Sequence, residues 1–237
     1  MRKIWTIGAR ELAAFFNSPV AYIVIVVYLL ICGWFFSANL FFDQQASLRG
    51  FFSMAPLMFI FFAPSISMGL VAEEQKSGTA ELLFTYPVTS FAVLAGKYAA
   101  ACLLMSLAVL LTFPYALTIL ALGQPDLGAL ATGYLGLLLM GALYLAIGLW
   151  ASTMVNSQLS AFILSFLVSF CFFILDKFIV WMPPAIARMA GFLSVDNHFK
   201  ALSRGVIDSR DLIYYLSVVM FFFAWSLYLV QRRKWRG

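Results

Sequence analysis

Few side chains in this 237-residue sequence have the type and spacing to do chemistry, and they gather in two places. Glu73 and Glu74 head the run Glu73-Glu74-Gln75-Lys76-Ser77-Gly78-Thr79-Ala80-Glu81-Leu82-Leu83. Paired carboxylates at a membrane suggest a Glu-Glu-x-x-x-Arg intramembrane protease, but the sixth position here is Gly78 and not arginine. Further on, Asp196, His198, Lys200, Arg204, Asp208, Arg210 and Asp211 stand close together. His198 is the only histidine, so neither a His-rich metal set nor a serine–histidine couple inside the membrane is available. Cys32, Cys102 and Cys171 are far apart within apolar runs and read as small hydrophobes. No Gly-x-x-x-x-Gly-Lys-Ser/Thr loop is present to cradle a phosphate. The expectation is a chain that is not itself an enzyme, with no catalytic, cofactor or metal site, whose charged groups pair and recognise.

The elements that must position these groups follow from composition. Hydrophobic residues make up 64% of the chain and charged ones 11%, with a mean hydropathy of +0.97. A soluble fold of this length cannot hide so much apolar surface, whereas hydrocarbon accepts it. Uncharged stretches long enough to cross about 30 Å of hydrocarbon predict six spans, at about 20–42, 51–72, 98–123, 127–153, 159–175 and 213–230. The fourth and fifth turn at Asn156-Ser157-Gln158, and Pro114 should kink the third. None of these spans carries an Asp, Glu, Lys, Arg or His away from its ends, which argues against a proton-coupled carrier. The predicted fold class is an all-α polytopic membrane protein forming a single membrane domain over 1–237. The first apolar run is too long for a signal peptide and is expected to remain as a span.

Lysine and arginine set the orientation. With six spans both ends share a side, and that side carries nine basic residues against six opposite. Counting acids as well leaves +5 on the first side and zero on the second, so both termini are expected in the cytoplasm. This partition also accounts for the net charge of +5 without a nucleic-acid partner. Ahead of the first span, Lys3 to Phe16 alternates apolar residues with Arg10 and Glu11, as an amphipathic helix lying in the interface does. The cytoplasmic loop predicts a turn at Ser77-Gly78, a short helix from about Thr79 to Phe84, and a stop at Tyr86-Pro87. Such a helix, clasped between two spans, is placed to dock into a partner. The 176–212 segment predicts two short charged helices broken at Gly205.

The Glu73-Glu74-x-Lys76-Ser77-Gly78-Thr79-x-Glu81-Leu82-Leu83 run, with Pro87 and the closing Gly96-Lys97, resembles the first cytoplasmic loop of type-2 ABC exporter permeases. Glu11-Leu12, Phe16-Asn17-Ser18-Pro19 and Ala21-Tyr22 near the start are similar to the gliding-motility (GldF-like) permease group. So are His198-Phe199, Ser203-Arg204-Gly205-Val206-Ile207-Asp208-Ser209-Arg210-Asp211 and Tyr214-Tyr215 near the end. The resemblance implies a six-helix permease in the bacterial inner membrane, paired with a second copy or a sister permease. Two cytoplasmic ABC ATPase subunits would bind ATP and Mg beneath it, and a periplasmic or membrane accessory protein is a further expected partner. It also implies that Arg10, Glu11, Glu73, Glu74, Lys76, Gly78, Thr79, Glu81, Leu82 and Leu83 couple the permease to the ATPase. The external segment would be marked by His198, Arg204, Asp208, Arg210 and Asp211. An apolar lining suits a lipid or bulky amphiphile as substrate. A non-transporting scaffold and an ATP-independent carrier are the alternatives.

Overall fold

The computed structural model describes residues 2–43, 47–78 and 89–234, and among them every regular element is helical. Among the described residues six helices are long and apolar enough to cross a membrane: Pro19–Phe42, Arg49–Lys76, Ser90–Leu122, Leu127–Met154, Gln158–Phe178 and Ser209–Arg232. The protein is therefore an all-α polytopic membrane protein, as its composition demands. In chain order its helices are α1 (Arg2–Asn17), α2 (Pro19–Asp43), α3 (Arg49–Ser67), α4 (Ala72–Lys76), α5 (Ser90–Leu110) and α6 (Phe113–Leu122). They are followed by α7 (Leu127–Met154), α8 (Gln158–Phe178), α9 (Pro184–Leu193), α10 (Val195–Ser203) and α11 (Ser209–Lys234).

Local sequence explains the breaks. Pro19 separates the amphipathic α1 from the first span, and α1 takes the extent its alternating pattern predicts. The third span divides into α5 and α6 just before Pro114, which sits in the first turn of α6, where a missing N–H costs nothing. Its hinge is tied by the Thr112 hydroxyl, which donates to the Val109 carbonyl at 2.6 Å, and by the Tyr134 hydroxyl, which donates to the Thr112 carbonyl at 3.1 Å. Asp126 caps α7 by accepting from the Gly128 and Ala129 amides. The turn at Asn156–Ser157 separates α7 from α8 where the polar triplet predicts it.

α7 is the most buried span and packs against α3, α5, α8, α10 and α11. Its glycines make this possible. A Cβ at Gly148 would lie 1.7 Å from the Ser67 hydroxyl of α3, and one at Gly133 would lie 2.4 Å from the Phe52 ring. Closely approaching backbones gain dispersion contacts that lipid does not offer in their place, the usual route to helix association in a bilayer. One feature of the spans differs from the sequence expectation. The third span begins at Ser90 rather than at about Tyr98, which puts Lys97 two turns inside a helix. The predicted helix over Thr79–Phe84 lies outside the described residues.

Candidate functional site

One end of the bundle, carrying α1 and α4, holds a lysine shared between two carboxylates. Lys97 of α5 is 3% exposed, yet its ammonium lies 3.0 Å from Glu11 Oε1 of α1 and 2.9 Å from Glu74 Oε1 of α4. A buried ammonium without partners would be costly, so the two carboxylates must stay near it and their helices with them. α1 can come this close because it crosses α5 at Gly8 and Gly96. A Cβ on Gly8 would meet the Gly96 carbonyl at 3.3 Å, and one on Gly96 would meet Ile7 at 2.8 Å.

α4 is joined to the buried centre by a second set of bonds. The Ser152 hydroxyl of α7 accepts from the Val71 and Ala72 amides, both at 2.9 Å, and donates to the Met68 carbonyl at 3.1 Å. Ser152 thus satisfies backbone groups that the end of α3 and the start of α4 leave open. The Gln75 amide donates to the Thr153 carbonyl at 3.4 Å. Movement of α4 is therefore felt directly by α7.

At the opposite end, α9 and α10 fold back as a cap. Asp176 and Lys177 at the end of α8 meet Asp196 and Lys200 of α10. Lys177 is 2.9 Å and Lys200 3.2 Å from Asp196, and Lys200 also bonds Asp176. Burial opposes the Lys200 charge, but the bond to Asp176 and the charge of Asp196 prevail and hold its ammonium above the ordinary lysine value. On the other side of α10, His198 Nδ1 lies 2.6 Å from Asp211 Oδ1 of α11, and Nε2 lies 2.9 Å from the Phe192 carbonyl of α9. Tyr214 stacks on the imidazole at 4.0 Å and donates to the Leu193 carbonyl at 2.6 Å. Thr132 of α7 donates to the Leu202 carbonyl at 2.7 Å and fixes the cap to the central helix.

Of the residues singled out in the sequence, the structure joins Glu11 with Glu74, through Lys97, and His198 with Asp211. Glu73 and Lys76 are exposed on α4, and Arg10 is exposed on α1, 3.9 Å from Glu11. Gly78 closes the turn after α4 with φ +72°, a conformation that favours glycine. Arg204 and Arg210 are exposed. Asp208 accepts from the Arg210 amide at the start of α11 and does not join the His198 group. Gly205, with φ +91°, ends α10 ahead of the sixth span, whereas the two short helices α9 and α10 part at Ser194, whose hydroxyl caps α10, and not at Gly205 as the sequence predicts. Thr79, Glu81, Leu82 and Leu83 lie outside the described residues. Sequence reasoning missed Lys97 as the centre of the clasp, and it missed Ser152, Asp176 and Lys177. For Lys97 a signal existed: a lone cation in an otherwise apolar helical run requires a partner.

The arrangement holds charges together at both ends of an apolar bundle, and among the described residues no group of three or more His, Cys, Asp and Glu could hold a metal. The family described as ABC-2 family transporter protein matches residues 35–195. That stretch includes Glu74, Lys97 and Ser152, and it ends before His198. The probable ABC transporter permease protein NosY of Pseudomonas aeruginosa is 30% identical over 174 residues, which cover 68% of this chain and 63% of the relative. The chain thus spans less than two thirds of that relative's length. Six apolar spans among the described residues, one of them the buried central helix, together with the family match over most of the sequence, carry one conclusion: the chain belongs to the ABC-2 family of transporter proteins.

Proposed function

We propose that the chain is the membrane-spanning permease subunit of an ATP-driven transporter whose ATPase, with its ATP and Mg, is a separate cytoplasmic polypeptide. The α1 end faces the cytoplasm of a bacterial inner-membrane protein, and the working unit holds two permeases, this chain with a second copy or a sister. The substrate class is a lipid or bulky amphiphile, in keeping with the apolar spans. The similarity to the gliding-motility group rests on Glu11–Tyr22 and on His198–Tyr215, and it names a narrower membership within the family.

The observation that supports the reading best is the Glu11–Lys97–Glu74 clasp. It joins the interfacial helix, the helix leading into the loop and the foot of the third span, while Ser152 joins that same α4 to α7. A push delivered to α1 or α4 by a closing ATPase reaches the central helix without passing through a flexible link, as rigid-body tilting requires. Because Glu74 turns toward Lys97, the exposed Glu73, with Arg10, Lys76 and the loop that follows, is left to meet the ATPase.

The test is co-purification from gently solubilised native membranes, followed by ATP hydrolysis with and without vanadate. Wild type should bring down a stoichiometric ATPase, and Glu73→Arg should weaken that association while leaving the clasp intact. A chain that emerges alone even after crosslinking would overturn the reading and put a scaffold or an ATP-independent carrier in its place.

A further inference from the structure

Beside the clasp, α1 and α5 leave between them an apolar groove of 340 Å³. Ile4, Trp5, Ala9 and Leu12 of α1 form one wall, and Ala99 and Leu103 of α5 form the other. The groove exists because the Gly8–Gly96 crossing fixes the two helices closely at one point while Ala9 and Ala99 beside it are too small to close the space. Its α5 wall continues from Leu103 into a stripe of exposed leucines, Leu107 and Leu110, each about one helical turn further along the helix within the span. That stripe is lipid-facing surface, so hydrocarbon reaches the mouth of the groove.

We infer that this groove is a binding site for one acyl chain of a membrane glycerophospholipid from the leaflet on the α1 side. Water is a poor occupant, since it needs two to four polar partners and the walls supply only the Trp5 indole at the rim. A peptide strand is worse, because its amides would find no acceptors at membrane depth. An extended hydrocarbon chain asks for none, and it would enter from the bilayer along the leucine stripe. Trp5, 74% exposed, stands at the interface end, where an amphipathic ring meets the glycerol region. The chain would act as a wedge, completing the contact of α1 with α5 beside the Gly8–Gly96 crossing. This inference concerns the permease alone and does not rest on the ATPase reading.

Native mass spectrometry of the whole chain, released from mild detergent, tests it. Wild type should retain one phospholipid mass per chain that the groove-filling variant Ala9→Leu/Ala99→Leu loses, whereas Leu107→Phe, on the open stripe, keeps it. In parallel, amide exchange across α1 should speed up when wild type is stripped of lipid. It should slow again on adding palmitoyl-oleoyl phosphatidylglycerol, but not its water-soluble headgroup, glycerophosphoglycerol. Equal lipid retention in the filled variant would overturn the assignment, as would rescue by the headgroup alone or α1 exchange indifferent to lipid. If filling instead dissolved a dimer at unchanged lipid count, the groove would seat a second copy and the inference would be wrong.

Discussion

Lys97 shows how a single residue governs a joint. Its ammonium is nearly sealed from solvent and is shared by Glu11 and Glu74, two carboxylates from helices that have no covalent reason to meet. Pairs of this kind add little net stability over an apolar replacement of the whole set, but removing one partner strands the others. Lys97→Met should therefore destabilise the α1–α4–α5 joint by roughly 3 kcal/mol, at the lower end of the range for broken buried pairs because the two acids keep some contact with water. The loss should be local. Proteolysis and amide exchange would rise in α1, with the spans protected as before. A double-mutant cycle of Lys97→Met with Glu11→Gln should give a clear coupling energy, and additive effects would mean that the pair does not act as a unit. At the other end, His198 plays the equivalent part with a different chemistry, holding α9, α10 and α11 through two ring nitrogens and a stacked tyrosine.

Among elements, α7 is the one on which the others are assembled. It buries almost all round because its glycines let α3 and α10 approach, and its hydroxyls at Thr132 and Ser152 bond the cap at one end and α4 at the other. Gly148 is the tightest point. A methyl there would fall on the Ser67 hydroxyl and 2.6 Å from its Cβ, and both positions are on helix backbones that cannot yield independently. Gly148→Ala should cost about 1–3 kcal/mol through overpacking, read as a lower unfolding temperature in one detergent. Ser67→Gly clears the obstruction, so the double variant should recover most of the loss. A double variant as unstable as Gly148→Ala alone would mean that the glycine serves some purpose other than this crossing.

The whole molecule is polarised. The α1 end is basic overall and the cap end is balanced, which predicts that the α1 end stays in the cytoplasm. With the native cysteines replaced by alanine, Lys76→Cys should react with an impermeant maleimide only in inverted vesicles, and Arg210→Cys only in intact spheroplasts. The reverse pattern would invert the proposed docking face. The sequence alone determined the solvent, the number of crossings, the amphipathic helix before the first span and the breaks at Pro19, Pro114 and Asn156–Ser157. Each of these is written in local composition or backbone preference, because a bilayer demands a long apolar run for every crossing and proline or glycine acts on its immediate neighbours. Tertiary structure alone decided which charges meet. Lys97 read as one more cytoplasmic cation at a loop edge until the third span was seen to begin at Ser90, and Asp176 and Lys177 read as the edge of a span until α10 folded back on them. Partners 13 to 86 residues apart in sequence come together only when helices cross, and the crossing points are set by where small residues fall against bulky ones on two faces at once. That pairing belongs to no single segment, so no local pattern carries it.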